Sequence, residues 1–321
     1  MAKKKFYRYP LYLVARGLAA LLALIPRPVL LPLARMAGRA AYAAVARQRE
    51  KTLENLRFAF GKEKSEAEIR GMARKVFENL SETCADVLQL NRLTPEGFAA
   101  IVDTREAEVL YRRILEGGRG LISLTAHIGN WELLAAAMAA RGFQGAVLGR
   151  RIYFEPYNRW ISGLRASAGV ETIYRDDPPK KVLKLLRENK IIGILADQDI
   201  DSLKSIFVEF LGRPAYTIIA PAKLSQATGA PILPNFLVRE GGKYRLIVGE
   251  PIRPETWGQD EAVEMITRAW MRECEKVIRA YPEQWAWMHN RWKTRPATEA
   301  GGETGDSGAR PEMFRQKDSV L

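Results

Sequence analysis

Cysteine and histidine are the scarce residues of this chain, two of each in 321. Two cysteines cannot build a disulfide scaffold or a four-thiolate zinc site, so stability must come from packing. The two histidines, His127 and His289, lie 162 positions apart and do not read as a metal cluster. Also missing are G-x-S-x-G, C-x-x-C, H-E-x-x-H and a Walker phosphate loop, so the common signatures of an activated serine, a redox dithiol, a zincin and a P-loop nucleotidase are gone. Hydrophobic residues make up 47% and charged ones 27%, which excludes the low-hydropathy disordered class. Acids are outnumbered by bases, 37 against 50, and the net charge of +13 points to an anionic partner: nucleic acid, an acidic membrane face or a phosphorylated substrate.

The distribution of charge separates these partners. Residues 1–60 carry twelve Lys or Arg against two Glu, so most of the excess sits there, together with the longest apolar run, 9–26, interrupted only by Arg16. A nucleic-acid surface would spread its cations over a polar face. Cations flanking Leu- and Ala-rich runs instead suit an anionic bilayer. About 20 apolar residues are needed to span, so the segment either crosses once or lies flat. Arg27, Arg35 and Arg39 follow without a small-residue cleavage site, and Lys3, Lys4, Lys5 and Arg8 precede the run while Arg47, Arg49 and Lys51 follow it. The expectation is a retained helical membrane anchor facing the cytoplasm, the other reading being a buried helical hairpin broken at Pro26 and Pro28.

From Ser65 the pattern becomes helical, opened by a Ser65/Glu68 capping box. Cys84 falls on its apolar stripe and Cys274 on that of a helix over 261–280, and both read as small buried hydrophobes. A helix over 105–116 ends at Gly117 and Gly118. Beyond it strands are expected at 121–124, 145–148, 171–174, 191–196, 206–210 and 231–238, with helices at 131–141, 157–168, 179–188 and 218–228 between them. Glu240, Gly241 and Gly242 turn the chain into a last strand at 244–248. The alternation predicts an α/β fold with a largely parallel mixed sheet flanked by helices, in three parts: the anchor over 1–60, the α/β domain over 61–296 and a disordered Gly/Glu/Ser/Asp-rich tail over 297–321.

His127 follows directly on the strand at 121–124, in TAHIGNWELL. Asn130 can cap the next helix, which puts Glu132 in its first turn and within reach of the imidazole. A carboxylate on one ring nitrogen fixes the tautomer and leaves the other nitrogen to take a proton from a hydroxyl, so His127 and Glu132 are the candidate catalytic pair. The alternative is a histidine satisfied by a backbone carbonyl, with Glu132 serving the helix dipole. Arg150 and Arg151 follow the strand ending at 148, and Asp197, Gln198 and Asp199 follow the strand ending at 196. In a parallel sheet the C-terminal strand ends form one crevice, where a guanidinium holds a phosphate or an oxyanion and Asp197 orients it. Either Arg150 or Arg151 can supply that guanidinium, and the two should point to opposite sides. No metal or cofactor is called for, and a lone base suits direct attack by a substrate hydroxyl.

These residues resemble the late acyltransferases of lipid A biosynthesis, within the wider glycerolipid acyltransferase group. AHIGNWE is similar to the family's H-x-x-x-x-[DE] block, with His127 and Glu132 in the base and acid positions; RIYFEPYNRW starts at Arg151 like its R-P-x-x-x-P block, with Ile152 in place of proline. ADQD, with Asp197 and Gln198, and FLGRPAYT, with Arg213, resemble two downstream blocks, and PEQWAWMHNRWKTRP over 282–296 resembles the C-terminal signature. The resemblance implies an acyltransferase-like fold and transfer of a fatty acyl chain from acyl carrier protein to a hydroxyl of a lipid A precursor, at the cytoplasmic face of the bacterial inner membrane. It implies binding or oxyanion roles for Arg151, Asp197, Gln198 and Arg213, and partners comprising the carrier protein, the precursor and an anionic membrane, with no nucleic acid. Trp285, Trp287 and Trp292, interleaved with Arg291, Lys293 and Arg295, read as an interface belt or as aromatic packing under a basic rim. Two other functions stay open: an acyltransferase for a lysophospholipid or glycolipid, and a non-catalytic module that binds anionic glycolipid.

Overall fold

Short apolar runs alternate with amphipathic stretches, and in the computed structural model, which describes residues 7–296, they become strands and covering helices. Four helices lead: α1 (Arg8–Leu24), α2 (Arg27–Ala44), α3 (Ala46–Phe60) and α4 (Glu66–Leu88). Then come α5 (Pro95–Ile101), β1 (Val102–Asp103), α6 (Arg105–Leu115), β2 (Leu121–Thr125), α7 (Trp131–Ala140), β3 (Gly145–Gly149) and α8 (Glu155–Ser167). The remainder is β4 (Glu171–Tyr174), α9 (Lys180–Arg187), β5 (Ile191–Leu195), β6 (Ser205–Phe210), β7 (Arg213–Ile218), α10 (Ala220–Thr228), β8 (Ile232–Glu240), β9 (Lys243–Val248) and α11 (Gln259–Ala280).

Seven strands form one sheet in the order β1-β9-β8-β2-β5-β3-β4. All neighbours run parallel except β8 and β9, joined through Gly241 and Gly242 at φ of +55° and +83°, a turn that only glycine enters without strain. The expected α/β class with a mostly parallel mixed sheet is therefore what the chain forms. The strand expected at 206–210 does exist, but it pairs with β7 in a separate antiparallel hairpin, and the helix expected from 218 starts at Ala220. Proline and alanine inside RPAYTI hid β7 from a period-2 reading. One face of the sheet buries Ile122, Leu124, Ile192 and Phe236 against α10 and α11, and the other buries Leu121, Leu233 and Leu237 under α6 and α7.

The basic residues of the N-terminal helices divide into two sets. Arg27, Arg35 and Arg39 reach across to Asp86, Glu82 and Glu78 of α4, at 2.7, 2.7 and 2.8 Å. Four-residue steps on α4 meet four- and eight-residue steps on α2, so the two helices lie antiparallel with their charges in register. A side chain at Gly38 would press to 2.7 Å from the α4 backbone, which is how close the helices come. The acid row is the buried face of α4. Cys84 lies beside it with an exposed surface, against the expectation of burial, whereas Cys274 is buried. From β8, Arg239 also reaches Glu82 at 2.6 Å and Asp86 at 3.4 Å, and Tyr244 donates to Asp86 at 2.6 Å.

Along α1, Tyr12 packs edge-on against Phe154 and Tyr157, and Arg16 lies over the Trp160 ring. Leu11, Val14, Leu18 and Leu21 stay exposed, as do Val29 and Met36 of α2. No single helix among the described residues is long and apolar enough to cross a membrane; α2 and α3 are so only together, and they meet at a 91° bend. The tail expected over 297–321 and the cations Lys3, Lys4 and Lys5 lie outside the described residues.

Asp86→Asn should cost about 3 kcal/mol of unfolding free energy, because Arg239 and Arg27 lose a buried counter-charge. Glu54→Gln, on the surface, should stay within about 0.5 kcal/mol of wild type. Equal urea midpoints for the two variants would contradict the structural role given to the α4 acids.

Candidate active site

The register of two adjacent strands builds the site. Thr125 at the end of β2 sits opposite Leu195 at the end of β5, and Ala196 N–H donates to the Thr125 carbonyl at 3.2 Å. Two residues further on each chain stand His127 and Asp197. Asp197 is fully buried and accepts three hydrogen bonds: from His127 N–H at 2.9 Å and Trp285 Nε1–H at 2.8 Å on Oδ2, and from His127 Nδ1 at 2.7 Å on Oδ1. Burial by itself would raise the Asp197 pKa, but the attraction of His127 and the bonds it donates outweigh it and hold the carboxyl well below the usual range. Asp197 is therefore ionised and can only accept, so Nδ1 carries a proton and Nε2 is the nitrogen that holds the lone pair in the neutral ring.

The loop that carries His127 is fixed by the segment after α11. Ala286 N–H donates to the His127 carbonyl at 2.9 Å and Gly129 N–H to the Gln284 carbonyl at 3.0 Å, so 127–129 and 284–286 lie side by side like a short antiparallel pair. Gly129 has φ +58°, and a Cβ there would fall 1.9 Å from the Leu237 carbonyl oxygen, so only glycine fits the turn. Asn130 then caps α7, its Oδ1 accepting from Leu133 N–H at 3.0 Å, as its sequence position predicts.

His289 comes from the same segment and packs against His127, ring centroids 4.9 Å apart. The Gln198 amide nitrogen lies 3.3 Å from His127 Nε2 and 3.1 Å from His289 Nε2. Asn55 of α3 holds the strap from behind, donating to the carbonyls of Trp287 and His289 at 2.7 and 3.0 Å. Burial lowers the His289 pKa; Asp197 pulls it up and His127 pushes it down. His127 opens onto a cleft of about 460 Å³ whose walls include Trp131, Glu132, Arg150, Arg175 and Lys293.

The sequence-predicted residues fall into three groups. His127, Asp197 and Gln198 meet, as the strand-end argument requires. Glu132 faces the same cleft but is bonded to Arg165, at 2.7 and 2.5 Å, so the carboxylate on the imidazole is Asp197 and not Glu132. The first turn of α7 aims Glu132 across to α8, while the register of β2 and β5 brings in Asp197 from 70 positions away. Arg151 and Arg213 are outside the cleft. Arg151 bonds Asp176 at 3.0 Å and lies over the Tyr174 ring, and Arg213, exposed on β7, lies over the Phe58 ring. It is Arg150 that lines the cleft, and not Arg151 as the resemblance implies, because alternation beyond β3 sends 150 and 151 to opposite sides.

Of the two readings of the tryptophan-rich segment, packing holds and the interface belt does not. Trp285 and Trp287 are fully buried, and Trp292 is half-buried and stacked on Phe210. Arg291 is buried too, donating to the Tyr216 carbonyl at 2.6 Å and to Thr217 Oγ1 at 2.5 Å, with its pKa lowered to about 10 by burial. The expected partner set had no place for His289, Trp285, Arg165 or Arg175. The sequence signal was present in the density of Trp, His and Arg over 285–292, which reads as a surface only while its burial is unknown.

A buried acid, an imidazole held by it and a cationic cleft lie together at parallel strand ends, an arrangement that can serve general-base chemistry. The family model for bacterial lipid A biosynthesis acyltransferase matches residues 1–294, and the chain belongs to that family, which places it among acyltransferases. Among its relatives is a lipid A biosynthesis myristoyltransferase of Escherichia coli, 27% identical over 91% of this chain and 90% of the relative. A lipid A biosynthesis lauroyltransferase of the same organism is 28% identical over 90% and 93%. A phosphatidylinositol mannoside acyltransferase of Mycobacterium tuberculosis is 28% identical over 56% of each chain, so this chain spans little more than half of that relative.

His289 supplies a pH signature. Its pKa is lowered from 6.5 in the folded state, so between 6.5 and that lower value the unfolded chain binds more protons and stability falls as pH falls. His289→Gln should flatten this loss in urea titrations at pH 7.5 and 5.5. An unchanged difference between the two pH values would contradict the buried, neutral His289.

Proposed function

We propose that the protein transfers a fatty acyl chain from the thioester of acyl carrier protein to a hydroxyl of a lipid A precursor, with His127 as general base and no acyl-enzyme. The observation that carries the reading is the His127–Asp197 pair, in which the carboxylate takes Nδ1 and leaves Nε2 on the side of a cationic cleft. Nε2 takes the acceptor O–H proton as the oxygen attacks the thioester carbonyl. The C–O bond forms, the C–S bond breaks, and the imidazolium returns the proton to the leaving thiolate. Asp197 stabilises the imidazolium between these steps. A narrow apolar slot walled by Leu134, Met138, Val147 and Ile194 shares Trp131 and Leu195 with the cleft and offers the alkyl chain a dry surface next to the base. Glu132 positions Arg165 across the cleft rather than touching the ring. The mannoside-acyltransferase relatives favour a second acceptor, a mannosyl glycolipid, which the same assay can offer.

The attachment we propose is monotopic, on the cytoplasmic face of the bacterial inner membrane, through the exposed leucines of α1 and the cations around them. Leu11→Glu with Leu18→Glu should cut the partition coefficient onto anionic vesicles by about a hundredfold, since each leucine withdrawn from lipid costs about 1.5 kcal/mol or more. Equal sedimentation would refute the attachment.

Turnover of a lipid A precursor with an acylated carrier protein, read by mass spectrometry, tests the chemistry. His127→Ala and Asp197→Asn should each lose about 10² to 10⁴ in kcat, and Glu132→Gln should lose less than Asp197→Asn. Near-normal turnover by Asp197→Asn would overturn the mechanism.

A further inference from the structure

The sheet edge beyond β3 and β4 holds two arginines that the chemistry above does not use. β3 and β4 pair in parallel, their last rung being Gly149 opposite Tyr174, and Arg175 N–H continues the ladder by donating to the Gly149 carbonyl at 3.1 Å. The next rung therefore sets residue 150 abreast of residue 175, and the one after sets 151 abreast of 176. The outer rung is Arg and Asp, and it is neutralised: Arg151 bonds Asp176 at 3.0 Å and approaches Asp177 at 3.5 Å. The inner rung is Arg and Arg. Both guanidiniums line the His127 cleft, and among the described residues neither has an acidic partner. The other two cations of the cleft are occupied, Arg165 by Glu132 and Lys293 by Asp201 at 2.5 Å.

Like charges abreast on neighbouring strands repel. Burial and the charge of Arg150 both lower the Arg175 pKa, in keeping with a guanidinium that lacks a counter-ion. A bound anion removes the repulsion. Guanidinium forks match phosphate oxygens two at a time, and two monocations balance a phosphomonoester dianion and outweigh a phosphodiester monoanion.

We propose that Arg150 and Arg175 form a phosphate-binding site at the rim of the cleft, which holds a phosphate group of a substrate while His127 acts on the acyl group. The substrate role rests on the acyl-transfer reading; the phosphate site itself does not. Two substrates can present this group, a sugar phosphate on the acceptor or the phosphate of a phosphopantetheine arm on the donor.

Calorimetric titration of the full chain in detergent with inorganic phosphate tests the site without turnover. Arg150→Gln and Arg175→Gln should each weaken binding about tenfold or more, because a charge-assisted hydrogen-bond pair is lost, and the double variant should abolish it. Arg187→Gln, exposed on α9, should bind as wild type does. Wild-type protein that takes up no phosphate, or a double variant that binds as tightly, would overturn the site. Steady-state kinetics of the single variants then assign the source: a raised KM for the acceptor points to its sugar phosphate, and a raised KM for the donor to the arm. Both KM values unchanged would overturn the substrate role. A wild-type enzyme that binds phosphate but transfers no acyl group would refute the acyl-transfer reading and leave the site standing.

Discussion

A carboxylate with no access to water is the constraint around which this molecule is arranged. Asp197 is ionised in a dry interior, which is tolerable only because three N–H groups converge on it. Each donor comes from a different structural decision: the backbone of the β2 loop, the imidazole that loop carries, and an indole delivered by the segment after α11. If any one is displaced, the buried charge loses part of its compensation. The orientation of the imidazole, the proton on Nδ1 and the docking of the C-terminal signature are thus one interaction seen from three sides.

That dependence explains the architecture around the strap at 284–289. Beyond a single 3-10 turn at Pro282–Gln284 it has no helix or strand of its own. Its order comes from borrowed partners: the His127 carbonyl, the Gly129 N–H, Asn55 on α3, and the buried Arg291 that ties it to the β6–β7 hairpin through Tyr216 and Thr217. The hairpin, an apparent appendage in the sheet topology, is what Arg291 and Trp292 pack against. At the other end, α2 is locked to α4 by its own charge row, so that helix serves the body of the protein on one face while leaving apolar surface on another.

Much of this was written locally and could be read as such. The αβ alternation, the Asn130 cap, the Ser65 capping box and the Gly241–Gly242 turn depend on residues a few positions apart. His127 and Asp197 were found because both follow predicted parallel strands. What failed was proximity in sequence used as a proxy for proximity in space: Glu132, five residues from His127, goes to Arg165, while Asp197 arrives through strand register. The choice between Arg150 and Arg151 turned on one step of alternation past the strand end, which no pattern in RRIYF fixes. Arg27, Arg35 and Arg39 count toward the basic excess of residues 1–60 because their acids, at 86, 82 and 78, belong to another helix. The spacing of four was there to be matched, but only the antiparallel docking makes it meaningful.

The central claim is that Asp197 fixes His127 as a base with its lone pair on Nε2. With only two histidines in the chain, long-range ¹H–¹⁵N correlation spectra contain two imidazole systems, and His289→Gln leaves one. At neutral pH the remaining ring should carry its proton on Nδ1 and show an unprotonated Nε2, and Asp197→Asn should abolish that preference. An Nε2-protonated ring in the otherwise unaltered site, indifferent to the change at Asp197, would contradict the account.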